Sequence, residues 1–133
     1  MIFVDTSVWI DFVRGVDSTE AAFLESSISR DEDLCICGVI LTELYQGIRS
    51  EHQYQYVKRL LAPLLYLPMP KIVYEQAAEI YRTARKQGKT IRNTIDCIIA
   101  ACAIMHKVPL LQKDRDFLTI KSVSGLNLVK TGQ

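Results

Sequence analysis

Short apolar runs alternate with amphipathic stretches along the chain, and that order predicts an α/β fold. The runs are brief and unbroken, as in Ile2-Phe3-Val4 and Leu34 to Cys37, which is the pattern of parallel strands buried on both faces. The stretches between them carry caps, apolar stripes and glycine stops suited to helices. The expected architecture is one α/β domain over residues 1–133, a twisted parallel sheet of about four to five strands flanked by helices.

The elements follow in order. Ile2-Phe3-Val4 is the first strand, closed by Asp5. Asp5, Thr6 or Ser7 caps a helix whose stripe is Val8, Trp9, Phe12 and Val13, and Gly15 ends it. A second helix runs from about Ser18 to Ile28. Leu34 to Cys37 is the next strand, with Gly38 as the turn. Val39 to Ile48 is helical, weakened by Gly47. Tyr54 to Leu65 is another helix, broken near Pro63. Leu65-Tyr66-Leu67 forms a short strand stopped by Pro68 and Pro70. Ile72 to Lys86 is a long helix ending at Gly88, with bases in its last turn. Thr90 to Asn93 is a loop, and Thr94 to His106 a strongly apolar helix. Pro109-Leu110-Leu111 leads a strand that ends at Lys113-Asp114, and Leu126 to Val129 is the final strand.

A chain of 133 residues buries about two-thirds of its unfolded surface, enough for a core without staples. Apolar residues make up 49% and charged residues 23%, which excludes disorder, a collagen-like repeat and a disulfide miniprotein. No apolar run approaches the ~18 residues of a membrane span. Met1 to Asp5 has no basic leader and places an acid where a signal peptide is apolar, so the expected location is cytoplasmic. Cys35, Cys37, Cys97 and Cys102 lie among apolar neighbours, and His52 and His106 are isolated. These spacings do not suit zinc, and the cysteines read as small buried hydrophobes in a reducing compartment.

The net charge of +1 hides an asymmetry. Residues 1–43 hold nine acids and two bases, whereas residues 44–133 hold fourteen bases and six acids. The densest basic run is Arg82, Arg85, Lys86, Lys89 and Arg92, with no acid between them. A basic face beside an acidic one suits a polyanion whose chemistry occurs at an acid-bound metal, although bases at a helix end also favour its dipole.

Four carboxylates stand where apolar residues are expected. Asp5 and Asp114 close strands, Glu43 lies between Leu41 and Leu44 in an apolar helix, and Asp96 is flanked by Ile95, Cys97, Ile98 and Ile99. The C-terminal ends of parallel strands share one edge, where ligands bind, so topology brings Asp5 and Asp114 together. Asp96 falls in the first turn of its helix, where the dipole favours negative charge. Any one such acid serves as a helix cap or an ion-pair partner. Four at strand and helix ends repel one another, and clustered buried acids protonate or hold a cation. An all-oxygen site suits Mg²⁺ or Mn²⁺, and an ion so held activates water for in-line phosphoryl transfer. The phosphate-cradling glycine loops and the Gly-x-Ser-x-Gly elbow are absent, and neither histidine adjoins a nucleophile.

Four blocks then carry a resemblance. Val4-Asp5-Thr6-Ser7-Val8-Trp9-Ile10-Asp11 resembles the opening of PIN-domain nucleases, particularly the VapC toxins of VapBC toxin–antitoxin pairs. Thr42-Glu43-Leu44-Tyr45-Gln46-Gly47 resembles their second motif, the stretch from Thr90 to Ala101 their third, and Leu110 to Phe117 their fourth. The resemblance implies a PIN fold and a Mg²⁺- or Mn²⁺-dependent endoribonuclease. Its catalytic and metal-holding acids are Asp5, Glu43, Asp96 and Asp114, with Asp116 second to Asp114 because relatives differ in which acid of this block faces the metal. Ser7 resembles a hydroxyl that orients the first acid or a water, with Thr6 in support. Arg92, Lys89, Arg85 and Arg115, with Arg82 and Lys113, are the implied RNA-phosphate contacts. A homodimer and a VapB-like antitoxin are the implied partners, with Tyr54, Tyr56 and Phe23 as interface aromatics. A PIN nuclease of RNA processing or of DNA, and a silent PIN-like module binding RNA or protein, are the alternatives.

Overall fold

The computed structural model describes residues 1–131. The chain runs β1 (Ile2–Val4), α1 (Thr6–Arg14), α2 (Thr19–Ser29), β2 (Leu34–Ile36), α3 (Gly38–Gln46), α4 (Glu51–Leu61), β3 (Leu65–Tyr66), α5 (Lys71–Lys86), α6 (Thr94–His106), β4 (Leu110–Leu111) and α7 (Asp116–Ser122). The four strands form one parallel sheet in the order β3-β2-β1-β4. The α/β expectation holds, and β1 sits centrally because its register pairs it with both β2 and β4.

The strands are short but wholly apolar, and Phe3, Val4, Cys35, Ile36, Leu110 and Leu111 are all buried. Trp9 and Val8 bring α1 onto this core, and Trp9 meets Phe12 edge to face at 6.2 Å. Helix α6 buries Cys97 and the run from Ile99 to Ala103, so its small residues allow close packing, and α5 packs against it. All four cysteines are free and buried. Where α3 begins beside β3, Gly38 lets Tyr66 approach, since a Cβ there would lie 2.9 Å from the Tyr66 hydroxyl.

Three elements depart from the expected pattern. Leu126 to Val129 does not extend the sheet as a strand. It makes one parallel bridge, Leu110 to Leu128, because two-residue β4 offers no longer ladder. Helix α4 starts at Glu51 rather than Tyr54, because the Ser50 hydroxyl accepts from the Gln53 N–H at 3.2 Å and caps it. Helix α7 is not expected from the sequence pattern. It is seven residues long and holds on through buried Phe117 and Ile120, too few residues for a period to show.

Parallel pairing places the ends of β1 and β4 at one sheet edge. The chain leaves β1 at Asp5, whose N–H donates to the Leu111 carbonyl at 2.9 Å, and leaves β4 towards Asp114, just before α7.

Candidate active site

Asp5 is the N-cap of α1, in extended conformation. Its Oδ2 accepts from the Ser7 N–H at 3.1 Å and the Ser7 hydroxyl at 2.6 Å. The side chain is only 5% exposed. Burial raises its pKa, the Ser7 hydrogen bonds oppose that rise, and the charge of Glu43 adds to it. Glu43, half-buried on α3, is oriented by Thr6, whose hydroxyl donates to Oε1 at 2.6 Å.

Asp96 lies in the first turn of α6, behind Asn93, whose Oδ1 caps the helix by accepting from the Ile95 N–H at 3.0 Å. Asp96 is 7% exposed, and its Oδ2 is buried with no hydrogen-bond partner. Burial, first, and then the charges of Asp5, Asp114, Asp116 and Glu43 push its pKa up to about 7. The charges of the other four acids are thus all felt at Asp96.

Asp114 and Asp116 enter from the head of α7. Asp114 Oδ1 accepts from the Asp116 N–H at 2.9 Å. Carboxylate oxygens of Asp96, Asp114 and Asp116 lie within 4.8 Å of one another. The two acids that compete as the fourth site residue are thus both present. Both face Arg92, but unequally: it donates its N–H to Asp116 Oδ2 at 3.2 Å and faces Oδ1 with Nε at 3.4 Å, while its Nη2 stands 3.9 Å from Asp114 Oδ1.

The other expected phosphate contacts are dispersed. Lys89 donates to the Ser122 hydroxyl at 2.8 Å, Arg85 stacks over Tyr81 at 5.8 Å, and Arg82 pairs with Glu79 at 3.3 Å. Arg115 is exposed at the head of α7. Lys113 is bound to Asp11, and that contact holds the buried Asp11 carboxyl below its usual range. No local pattern links Asp11 to Lys113, so sequence reasoning misses the pair. Asn93 ends the expected loop and also caps α6, and an Asn directly before a helical run is a cap signal. Of the interface aromatics, Tyr56 is exposed, while Tyr54 packs edge to face on Tyr45 and Phe23 rests against the core.

The PIN domain family model matches residues 2–122. The chain belongs to the PIN domain family. Ribonuclease VapC11 of Mycobacterium tuberculosis (strain ATCC 25618 / H37Rv) is 32% identical over 128 residues, covering 95% of this chain and 96% of the relative. VapC ribonuclease Mb1587 of Mycobacterium bovis matches with the same identity and coverage. Among solved structures, VapBC2 from Rickettsia felis, bound to a DNA fragment from its promoter, aligns with a TM-score of 0.75 at 20% identity over 97% of this chain and 98% of that one. VapBC-1 from nontypeable Haemophilus influenzae aligns with a TM-score of 0.75 at 20% identity over 98% of both. FitAcB from Neisseria gonorrhoeae gives 0.71 at 22% over 98% of both. These likenesses show that the PIN fold extends across the chain.

The PIN domain's acidic cluster fits a hard divalent cation. The donors that converge are carboxylate oxygens, and the buried Asp96 Oδ2 lacks any donor from the protein. Such an atom is satisfied by a proton or a cation, and oxygen-only sets suit Mg²⁺ or Mn²⁺.

Proposed function

We propose that this PIN domain is the ribonuclease toxin of a toxin–antitoxin pair, an endoribonuclease that hydrolyses RNA phosphodiester bonds at a carboxylate-held Mg²⁺ or Mn²⁺. The observation that carries the reading is the unpartnered, buried Asp96 carboxylate, which feels the charges of four other acids. The ribonuclease names of relatives alike over nearly the full chain support it.

Asp5, Asp96 and Asp114 would hold the ion, with Glu43 beside them and Asp116 as the second-ranked ligand. When bound, such an ion activates water and stabilises charge on the phosphate during in-line displacement. The chain's own residues do the rest. Ser7 fixes the Asp5 carboxylate and Thr6 fixes Glu43, so each is held in one orientation. With its carboxyl pushed up to about 7, Asp96 would hold a proton at mildly acidic pH, and a bound cation would favour its carboxylate form. Arg92 offers guanidinium donors at the rim of the acids, and Lys89, Arg85 and Arg115 add diffuse attraction. Such contacts hold an RNA backbone without reading its sequence. The VapBC complexes among the structural neighbours support a VapB-like antitoxin as partner. A homodimer in the cytoplasm completes the proposal. Among the described residues, no helix is long and apolar enough to cross a membrane.

The test is RNA cleavage by purified protein. Asp96→Asn, or excess chelator, should lower the rate by at least about 10²-fold, the scale of losing a key electrostatic group. Near-normal cleavage in chelator would overturn the reading.

A further inference from the structure

Asp116 heads α7 and is 6% exposed, as buried as Asp5 and Asp96. Its carboxylate, however, is committed to one residue. Oδ2 accepts the Arg92 backbone N–H and Oδ1 faces the Arg92 Nε, so a single side chain grips both the backbone and the head of Arg92. The segment that carries Arg92 is held elsewhere too. Ile91 is buried in the core, and Lys89 reaches the Ser122 hydroxyl at the far end of α7. Residues 89–92 are therefore strapped along α7, with Asp116 as the buckle nearest the acids.

The guanidinium is held but not saturated. Its distances of 3.4 Å to Asp116 and 3.9 Å to Asp114 are looser than the roughly 2.7–2.9 Å of a tight charge-assisted pair. The side chain remains 71% exposed, Nη2 is only loosely paired with Asp114, and Nη1, with no carboxylate partner, can meet an anion. A planar fork fixed at the edge of an acidic cluster suits one phosphate, and it offsets the repulsion those acids exert on RNA. Although its oxygens converge with those of Asp96 and Asp114, the same contacts make Asp116 less suited to a metal than Asp96. Asp96 has an oxygen with no partner, whereas the charge of Asp116 is already met by a fixed cation that repels a second one.

We propose that Asp116 is a positioning residue rather than a metal ligand: it presents the Arg92 guanidinium to the phosphate of the RNA beside the acid cluster. This rests on the ribonuclease reading above and assigns the division of labour between Asp114 and Asp116.

The experiment separates ion binding from cleavage. Mn²⁺ alone is titrated into wild type, Asp96→Asn, Asp114→Asn, Asp116→Asn and Arg92→Gln, and kcat/KM for an RNA oligonucleotide is measured for each. Asp96→Asn and Asp114→Asn should raise the Mn²⁺ Kd by about tenfold or more. Asp116→Asn should change it within about threefold, the scale of one nearby charge, and Arg92→Gln should lower it. For cleavage, Asp116→Asn and Arg92→Gln should each cost about 10- to 100-fold. The double variant should cost no more than the worse single, because both remove one device. Arg92→Lys should not restore the rate, since an ammonium lacks the fork. An Asp116→Asn Kd that rises as far as that of Asp96→Asn makes Asp116 a ligand and overturns the proposal. Wild-type cleavage by Arg92→Gln, whose exposed position leaves folding intact, overturns it as well. No RNA cleavage by wild type at saturating Mn²⁺ would instead defeat the ribonuclease reading, while the Mn²⁺ titrations still report whether Asp116 is a ligand.

Discussion

Asp5 and Asp96 are the same residue type, buried to the same degree, each at the start of a helix, yet they face opposite situations. Asp5 is itself the cap of α1, so the N–H and hydroxyl of Ser7 converge on it. Asp96 comes three residues after the cap of α6, and Asn93 takes the local N–H instead. Burial raises the pKa of both, but only Asp5 has hydrogen bonds that oppose the rise, whereas four neighbouring charges add to it at Asp96. Burial alone therefore does not mark the reactive carboxylate. A cap is satisfied by its own helix, and an acid one turn later depends on something brought from outside.

The largest effect that would break this contrast is on stability against pH. Asp96 in the fold holds its proton up to about 7, while the unfolded chain releases it near the ordinary 3.8. Between those values the folded state binds more protons, so stability falls as pH rises. Each tenfold difference in proton affinity between the two states is worth about 1.4 kcal/mol, so the loss is on the scale of a few kcal/mol. Metal-free protein should melt progressively lower from about pH 4 to about pH 7, and Asp96→Asn should flatten that slope. Asp5→Asn should flatten it less. A wild-type slope that survives Asp96→Asn would mean the charge at Asp96 is relieved in another way.

A cation should reverse the same penalty. At 100-fold excess over Kd, Mg²⁺ or Mn²⁺ should stabilise the protein by about 2.7 kcal/mol. Calorimetric melting with and without the ion reads this directly. Asp5→Asn should melt higher than wild type in chelator, because one repelling charge is gone, yet gain less from the ion. Identical gains in the two proteins would place Asp5 outside the ion site.

How far this contrast is legible in the sequence follows from the range of each interaction. Asp5 ending an apolar run and Asp96 inside the most apolar helix are local features, and parallel topology brings Asp5 and Asp114 to one edge. What stays hidden is set by side chains distant in sequence. The bond from Thr6 to Glu43 spans 37 residues, that from Arg92 to Asp116 spans 24, and that from Lys113 to Asp11 spans 102. Nothing in a residue's near neighbours encodes such a partner. The Lys113 charge expected for RNA is therefore already engaged, and the grip of Asp116 on Arg92 is invisible in the sequence. Helix α7 escapes because its stability comes from Phe117 and Ile120 meeting the core rather than from periodicity.

The smallest expected effect sharpens the contrast by making Asp5 resemble Asp96. Ser7→Ala removes the hydroxyl at 2.6 Å but keeps the backbone N–H at 3.1 Å, so the cap of α1 survives. With one opposing hydrogen bond gone, burial and the Glu43 charge push the Asp5 carboxyl higher still. Cation affinity near neutral pH should fall about tenfold, the low end for losing a partner that orients a ligand. The acid limb of the pH–rate profile should move upward, because a more basic carboxyl loses its proton only at higher pH. Ser7→Thr, which restores a hydroxyl, should return both. A purely structural role for Ser7 would lower the melting temperature and leave the pH profile where it was, so the profile decides whether Ser7 tunes Asp5 or only caps its helix.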